Sequence, residues 1–110
     1  MQERENITVL QRDGERILQR LETIRDTMQN NVARGNYREA NRLYLELPYN
    51  AFPQVRSFVQ RVTDIRRQRP TDLNEYVDGM PRNMWDLLED IREISYDSIE
   101  ARLRTYPRIR

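Results

Sequence analysis

The chain reads as an all-α protein, an up-and-down four-helix bundle with a long first helix and a break near residues 79–81. Three observations carry that expectation. Apolar residues recur at steps of three and four along most of the sequence, the spacing of one face of an α-helix. Gly and Pro number only three and five among 110 residues, too few for the turns of a many-stranded β fold. The amphipathic stretches fall into four segments joined by short connections, and such segments bury their apolar stripes most economically against one another.

The first segment is the clearest. Ile7, Leu10, Gly14, Ile17, Leu21, Ile24 and Met28 form a heptad seam flanked by polar residues, which predicts a helix from Asn6 to Ala33, about 40 Å long. Gly14 sits in that seam, where it permits close helix approach at about 1 kcal/mol of propensity. Gly35 marks the stop, as a residue able to turn left-handed. Asn36-Tyr37-Arg38-Glu39 then has the form of a capping box opening a second helix, whose stripe is Ala40, Leu43, Tyr44 and Leu47 and whose end is Pro48. Phe52 precedes Pro53, which biases it to an extended corner with its ring packed inward.

Pro53 suits the first turn of the third helix, with Val55, Phe58, Val59, Val62 and Ile65 as its core face and arginines before Pro70 at its end. Thr71 is the expected cap of a short helical turn carrying Leu73, Tyr76, Val77 and Met80, interrupted by Gly79 and Pro81. The last helix carries Met84, Leu87, Leu88, Ile91, Ile94, Ser98 and Ile99 and reaches toward Leu103. Residues 1–5 and 104–110 are expected tails of a single domain, since 110 residues build one modest core and no more.

Composition excludes more chemistry than any motif suggests. Cys and His are both absent, which removes thiol nucleophiles, disulfides, thiolate metal sites and imidazole bases. A di-iron bundle needs Glu-x-x-His pairs, a serine nucleophile needs a base, and no Gly-rich phosphate loop is present. The expectation is a protein without catalytic, cofactor or metal residues. No apolar run approaches the roughly 20 residues that span a bilayer, and the polar start lacks a signal-peptide core, so any targeting segment is expected to have been removed.

All 19 basic residues are Arg. Eight Asn, eight Ile and six Tyr against four Ala and three Gly look AT-rich, a setting in which Lys should abound. The expectation is that natural lysines were replaced by arginine, or that the sequence was otherwise edited; a native gene encoding this lysine-free chain would end that idea. Formal charge is only +1, so no global field draws nucleic acid or anionic membrane.

Charge is nevertheless clustered. Arg56, Arg61, Arg66, Arg67 and Arg69 face one acid, Asp64, in their segment, whereas Asp86 to Glu100 holds six acids and Arg92. Two readings are open: attraction between antiparallel neighbours within the bundle, or docking of the Arg segment on an acidic partner. Arg34, Arg38 and Arg42 form a stripe beside Tyr37 and Tyr44, either a solvated face or a docking face rich in interface-prone residues. Asp86, Glu89, Asp90 and Glu93 read as a solvated acidic face. Trp85 reads as a core anchor, with a docking anchor at a bundle end as the alternative.

The layout of a long helix, the pair Asn36-Tyr37 opening the second, Pro48 about eleven residues on, and the acidic-apolar run Met84-Trp85-Asp86-Leu87-Leu88-Glu89-Asp90-Ile91 is similar to a known family. The run NYREANRLYLELPYNAFPQVRSFVQRV resembles the corresponding part of PsbQ-type extrinsic subunits of photosystem II, the cyanobacterial and algal forms more than the plant one. The resemblance covers residues 7–100; the interruption at 79–81, the short last helix and the lack of Lys depart from the family pattern. It implies a four-helix bundle in the thylakoid lumen, peripheral to the membrane, bound to photosystem II membrane subunits and other extrinsic proteins. Such a subunit stabilises the oxygen-evolving complex and retains its calcium and chloride without being catalytic. Tyr37 and Pro48 match as structural markers, and Arg34, Arg38, Arg56 and Arg61 as docking cations. Two other readings remain: a soluble, cytoplasmic helical adaptor or coiled-coil module pairing through the Ile7–Met28 seam, and a weak nucleic-acid binder using Arg34, Arg38, Arg42 and the Arg66–Arg69 cluster.

Overall fold

A computed structural model describes residues 6–105. Helix α1 spans Ile7–Ala33, and Asn6 caps it: the Asn6 Oδ1 accepts from the backbone N–H of Thr8 at 2.9 Å and of Val9 at 3.4 Å. At the other end the Gly35 N–H donates to Val32 O and the Asn36 N–H to Asn31 O, with Gly35 at φ 76°. That pair of bonds is the Schellman ending, and its left-handed residue is why a Gly stands there.

Helix α2 (Tyr37–Glu46) opens without the expected capping box. The Asn36 N–H already belongs to the ending of α1, and its side-chain amide donates to Asn31 Oδ1 at 3.1 Å. Glu39 therefore has no orphan donor to reach back for, and it turns forward to Arg42 instead. A 3₁₀ turn at Leu47–Tyr49 carries Pro48, and α3 (Ala51–Gln68) follows. Phe52 is helical, not extended: Pro53 lies in the first turn, where its missing N–H breaks no bond, and the Phe52 ring rests on the core.

A second 3₁₀ turn, Pro70–Asp72, leads to the one-turn helix α4 (Glu75–Asp78). Its cap is Asn74, whose Oδ1 accepts from Val77 N–H at 2.8 Å, and not Thr71, which lies in the 3₁₀ turn. The break falls at Gly79. Pro81 has no N–H to give to the Val77 carbonyl, so the helical ladder is interrupted there and α5 (Met80–Thr105) starts afresh with Pro81 in its first turn. Residues 104 and 105, expected as tail, are helical; the expected tail residues 1–5 and 106–110 lie outside the described residues.

The expected all-α bundle of four main helices is present, and the contacts define how they share α1. Ile24 near the top of α1 lies beside Leu43 and Leu47, Arg20 reaches Gln54 at 3.4 Å, and Asp13 near the bottom meets Arg61 at 2.9 Å. Helices α2 and α3 thus descend one after the other along α1, so four helices fill three columns. The Pro48 turn bends the chain without reversing it. The chain reverses at Pro70–Gly79, and α5 climbs beside α1: Met80 meets Gly14 low down, and Asp90 comes within 3.8 Å of Arg25 higher up.

One apolar cluster joins the columns. Leu10, Ile17, Leu21 and Met28 of α1 meet Val55, Phe58, Val62 and Ile65 of α3 and Met80, Met84, Leu87, Leu88 and Ile91 of α5. Gly14 is the closest crossing, with the Phe58 ring and the Met80 sulfur pressed where a Cβ would stand. Because α5 starts level with Gly14, it runs on past the top of α1, and Ser98 is its last buried residue among those described. The molecule is consequently elongated, 67 × 19 × 17 Å.

Candidate functional site

Three columns leave one seam of the bundle thinly covered. Between α3 and α5 runs a groove of about 390 Å³ whose walls are Phe52, Val55 and Val59 from α3 and Trp85 and Leu88 from α5, with Arg56 and Gln60 on its rim. A smaller hollow of about 150 Å³ continues it toward α2, sharing Phe52, Trp85 and Leu88 and adding Tyr44, Leu47, Glu89 and Arg92. Trp85 stands between the two and is 57% exposed. The core-anchor expectation for it is therefore wrong: Met84, Leu87 and Leu88 fill the inward face of α5 and leave Trp85 about a quarter-turn outside it.

Trp85 begins a second stripe on α5. Leu88, Arg92, Tyr96, Ile99 and Leu103 follow it at steps of three and four, on one side of the helix. Tyr96 is 58%, Ile99 46% and Leu103 66% exposed, and the Arg92 guanidinium lies 5.9 Å from the Tyr96 ring centroid. Next to this stripe the carboxylates Asp86, Glu89, Glu93 and Glu100 are exposed. The groove is thus apolar on its floor, basic on the α3 rim and acidic on the α5 flank.

The cations singled out from sequence do not share one face. Arg34 and Arg38 are exposed around the α1–α2 corner beside the half-buried Tyr37, while Arg42 is clamped by Glu39 and Glu46 on its own helix. The Arg42 hydrogen bond holds the Glu39 carboxyl below its ordinary value, and the two carboxylates raise Arg42. Arg61 bridges to Asp13, Arg66 to Asp78 at the α4 turn, and Arg69 to Asp72 at 3.4 Å. Arg56 sits on the groove rim and Arg67 is exposed. The expected attraction between the α3 arginines and the α5 acids is not what these pairs make; α3 turns its cations to α1 and to the reversal, because only the upper half of α3 lies beside α5.

A second hollow, about 400 Å³, opens between α1 and α3 and holds Arg16, Arg20 and Arg61 around Asp13, Gln54 and Ser57. Asp86, Glu89, Asp90 and Glu93 are exposed on α5, and among the described residues no group of three or more acids converges as a metal site. No described helix is long and apolar enough to cross a membrane. The α1 seam, the surface on which chain pairing was expected, is turned inward: Leu10, Gly14, Ile17, Leu21 and Met28 are all buried within the chain.

Sequence reasoning missed the groove. Its signal was present in the extra apolar positions of α5, which carries more of them than one stripe can absorb. Fold and site together define a small helical bundle with an exposed aromatic cleft. Compared with known proteins, the chain matches no family model, no curated protein and no solved structure.

Proposed function

We propose that this chain is a non-catalytic binding module that acts by docking protein surfaces in the α3/α5 groove, with Trp85 as the anchor. The observation that carries this is the exposed tryptophan between two adjoining apolar hollows. Aromatic anchors in partly desolvated pockets, ringed by charge, are where interfaces concentrate their binding energy. A chain without Cys or His also lacks the usual nucleophiles and bases for catalysis at neutral pH.

The finer form of the proposal is a PsbQ-type extrinsic subunit of photosystem II in the thylakoid lumen, supported by the resemblance of residues 36–62. In that form the bundle covers lumenal loops and neighbouring extrinsic subunits and slows the loss of calcium and chloride. The exposed Arg34, Arg38 and Arg56 steer the approach, so binding weakens with salt.

The sole tryptophan reports directly on the groove. Nanomolar chain is titrated with photosystem II cores stripped of extrinsic subunits, at low and high salt. The expected result is salt-sensitive binding with a blue-shifted Trp85 emission, lost in Trp85→Ala. Absence of binding at low salt removes the photosystem reading; binding that leaves Trp85 emission unmoved removes the groove.

A further inference from the structure

We infer that the hollow between α1 and α3 is a binding site for a small phosphomonoester, held by Arg16 and Arg20 together with the Ser57 hydroxyl and the Gln54 amide. The site lies apart from the α3/α5 groove and does not depend on it.

The facing of the two helices builds it. Helix α3 runs antiparallel to α1 here, with Arg61 2.9 Å from Asp13 and Gln54 3.4 Å from Arg20. The register between those pairs places Arg16 and Ile17 opposite Ser57 and Phe58. On the outer side of that level the long, exposed Arg16 stands across from the short, exposed Ser57. The space left between the helices is the hollow of about 400 Å³. Ile17 and Phe58, both buried, form its floor, and Pro53 walls one end. That volume lies within the range of small-ligand sites and exceeds what a bare inorganic anion fills.

Charge in the hollow is unbalanced. Three guanidinium groups, those of Arg16, Arg20 and Arg61, line it against one carboxylate, a net of two positive charges. That carboxylate, Asp13, is taken up by Arg61. Arg16 has no ion-pair partner among the described residues, and Arg20 has only the neutral Gln54 amide. Glu46, which shares a smaller hollow with Arg20, is held by Arg42 at 2.6 Å. Two cations one helical turn apart on α1 are thus left facing the same space. Like charges at that spacing repel, and an anion seated between them relieves the repulsion.

The donors select the ligand. Guanidinium forks match the oxygens of a phosphate in pairs, and the hydroxyl and amide add neutral donors beside them. A phosphomonoester carries close to two negative charges at neutral pH, which balances the lining, whereas a carboxylate carries one. The floor of Ile17 and Phe58 and the Pro53 wall then receive the carbon body of the ester. A compact aromatic phosphate therefore fits the hollow better than inorganic phosphate does.

The experiment is calorimetric titration of the full chain with phenyl phosphate at low ionic strength, with Trp85 emission followed in parallel. The expected result is saturable one-to-one binding that leaves Trp85 emission unmoved. Phenyl sulfate, with a single charge, and inorganic phosphate, without the ring, bind more weakly. Arg16→Gln and Arg20→Gln each weaken phenyl phosphate at least about tenfold, the loss expected of a charge-assisted hydrogen bond. Ser57→Leu, which fills the hollow without changing charge, abolishes binding, and Arg67→Gln, an exposed cation outside the hollow, leaves it unchanged. All four side chains are exposed, so helicity by circular dichroism stays that of the parent and lost binding is not lost fold. Absence of saturable binding at millimolar phenyl phosphate overturns the inference. Binding that survives Ser57→Leu also overturns it, since charge alone would then hold the ester. So does inorganic phosphate binding as tightly as the ester, or a shift of Trp85 emission, which would put the ligand in the α3/α5 groove.

Discussion

Placing a methyl group on Gly14 tests the packing on which the whole arrangement depends. On an exposed helix, Gly→Ala stabilises by about 1 kcal/mol through backbone entropy. Here the added Cβ would lie 2.7 Å from Cζ and 2.9 Å from Cε2 of Phe58, and closer still to the Met80 sulfur. Neither neighbour has room to retreat, for Phe58 is 1% and Met80 0% exposed. Overpacking of this kind costs about 1–3 kcal/mol, which outweighs the propensity gain. The net expectation for Gly14→Ala is a loss of about 1 kcal/mol. In urea melts this lowers the midpoint with the slope unchanged, and the melting temperature falls by roughly 4 °C. Met80→Ala in the same chain should relieve the clash, so the two changes together cost less than their sum. A Gly14→Ala chain more stable than the parent by about the full 1 kcal/mol would show that the three columns do not meet at this residue.

Other expectations follow from single contacts. Asn6→Ala and Asn74→Ala each remove a side-chain cap and should cost about 1 kcal/mol in thermal melts, while Asn36→Ala, which removes no cap bond, should cost distinctly less. Phe58→Ala should cost about 3–5 kcal/mol and Leu103→Glu, on the exposed stripe, less than about 0.5 kcal/mol, both read in denaturant at nanomolar chain. The Glu39 carboxyl is held low by Arg42, so its contribution is present above the ordinary carboxylate range and is lost as pH falls through the depressed value. The difference in melting temperature between the parent and Glu39→Gln should therefore be constant from pH 8 to 5 and close only in more acid solution; a difference that closes between pH 8 and 6 would contradict the pairing.

Much of the helix layout was legible because it is local. The Asn6 cap, the Gly35 stop and the break near Gly79–Pro81 each depend on backbone groups a few residues apart. The capping box at Asn36 and the extended Phe52 were misread for the same reason in reverse. Asn36 serves the ending of the previous helix, and Phe52 follows the core rather than the preference imposed by its proline neighbour. The candidate site was less legible still. Four of the nine residues chosen for docking, Arg42, Arg61, Arg66 and Arg69, are engaged by carboxylates; Asp13 is brought to Arg61 only by the packing of α3 on α1, and Asp78 and Asp72 to Arg66 and Arg69 by the reversal after α3.

The sequence by itself determined that this chain is helical, roughly where its main helices lie, and that it has no Cys, His or Lys, since periodicity and composition are properties of the chain alone. Only the tertiary structure decided which of the two apolar stripes on α5 faces inward. Helical spacing records that a residue is on a stripe, and burial depends on what stands opposite. With α2 and α3 sharing one column, the described residues cover Trp85, Ile99 and Leu103 only in part.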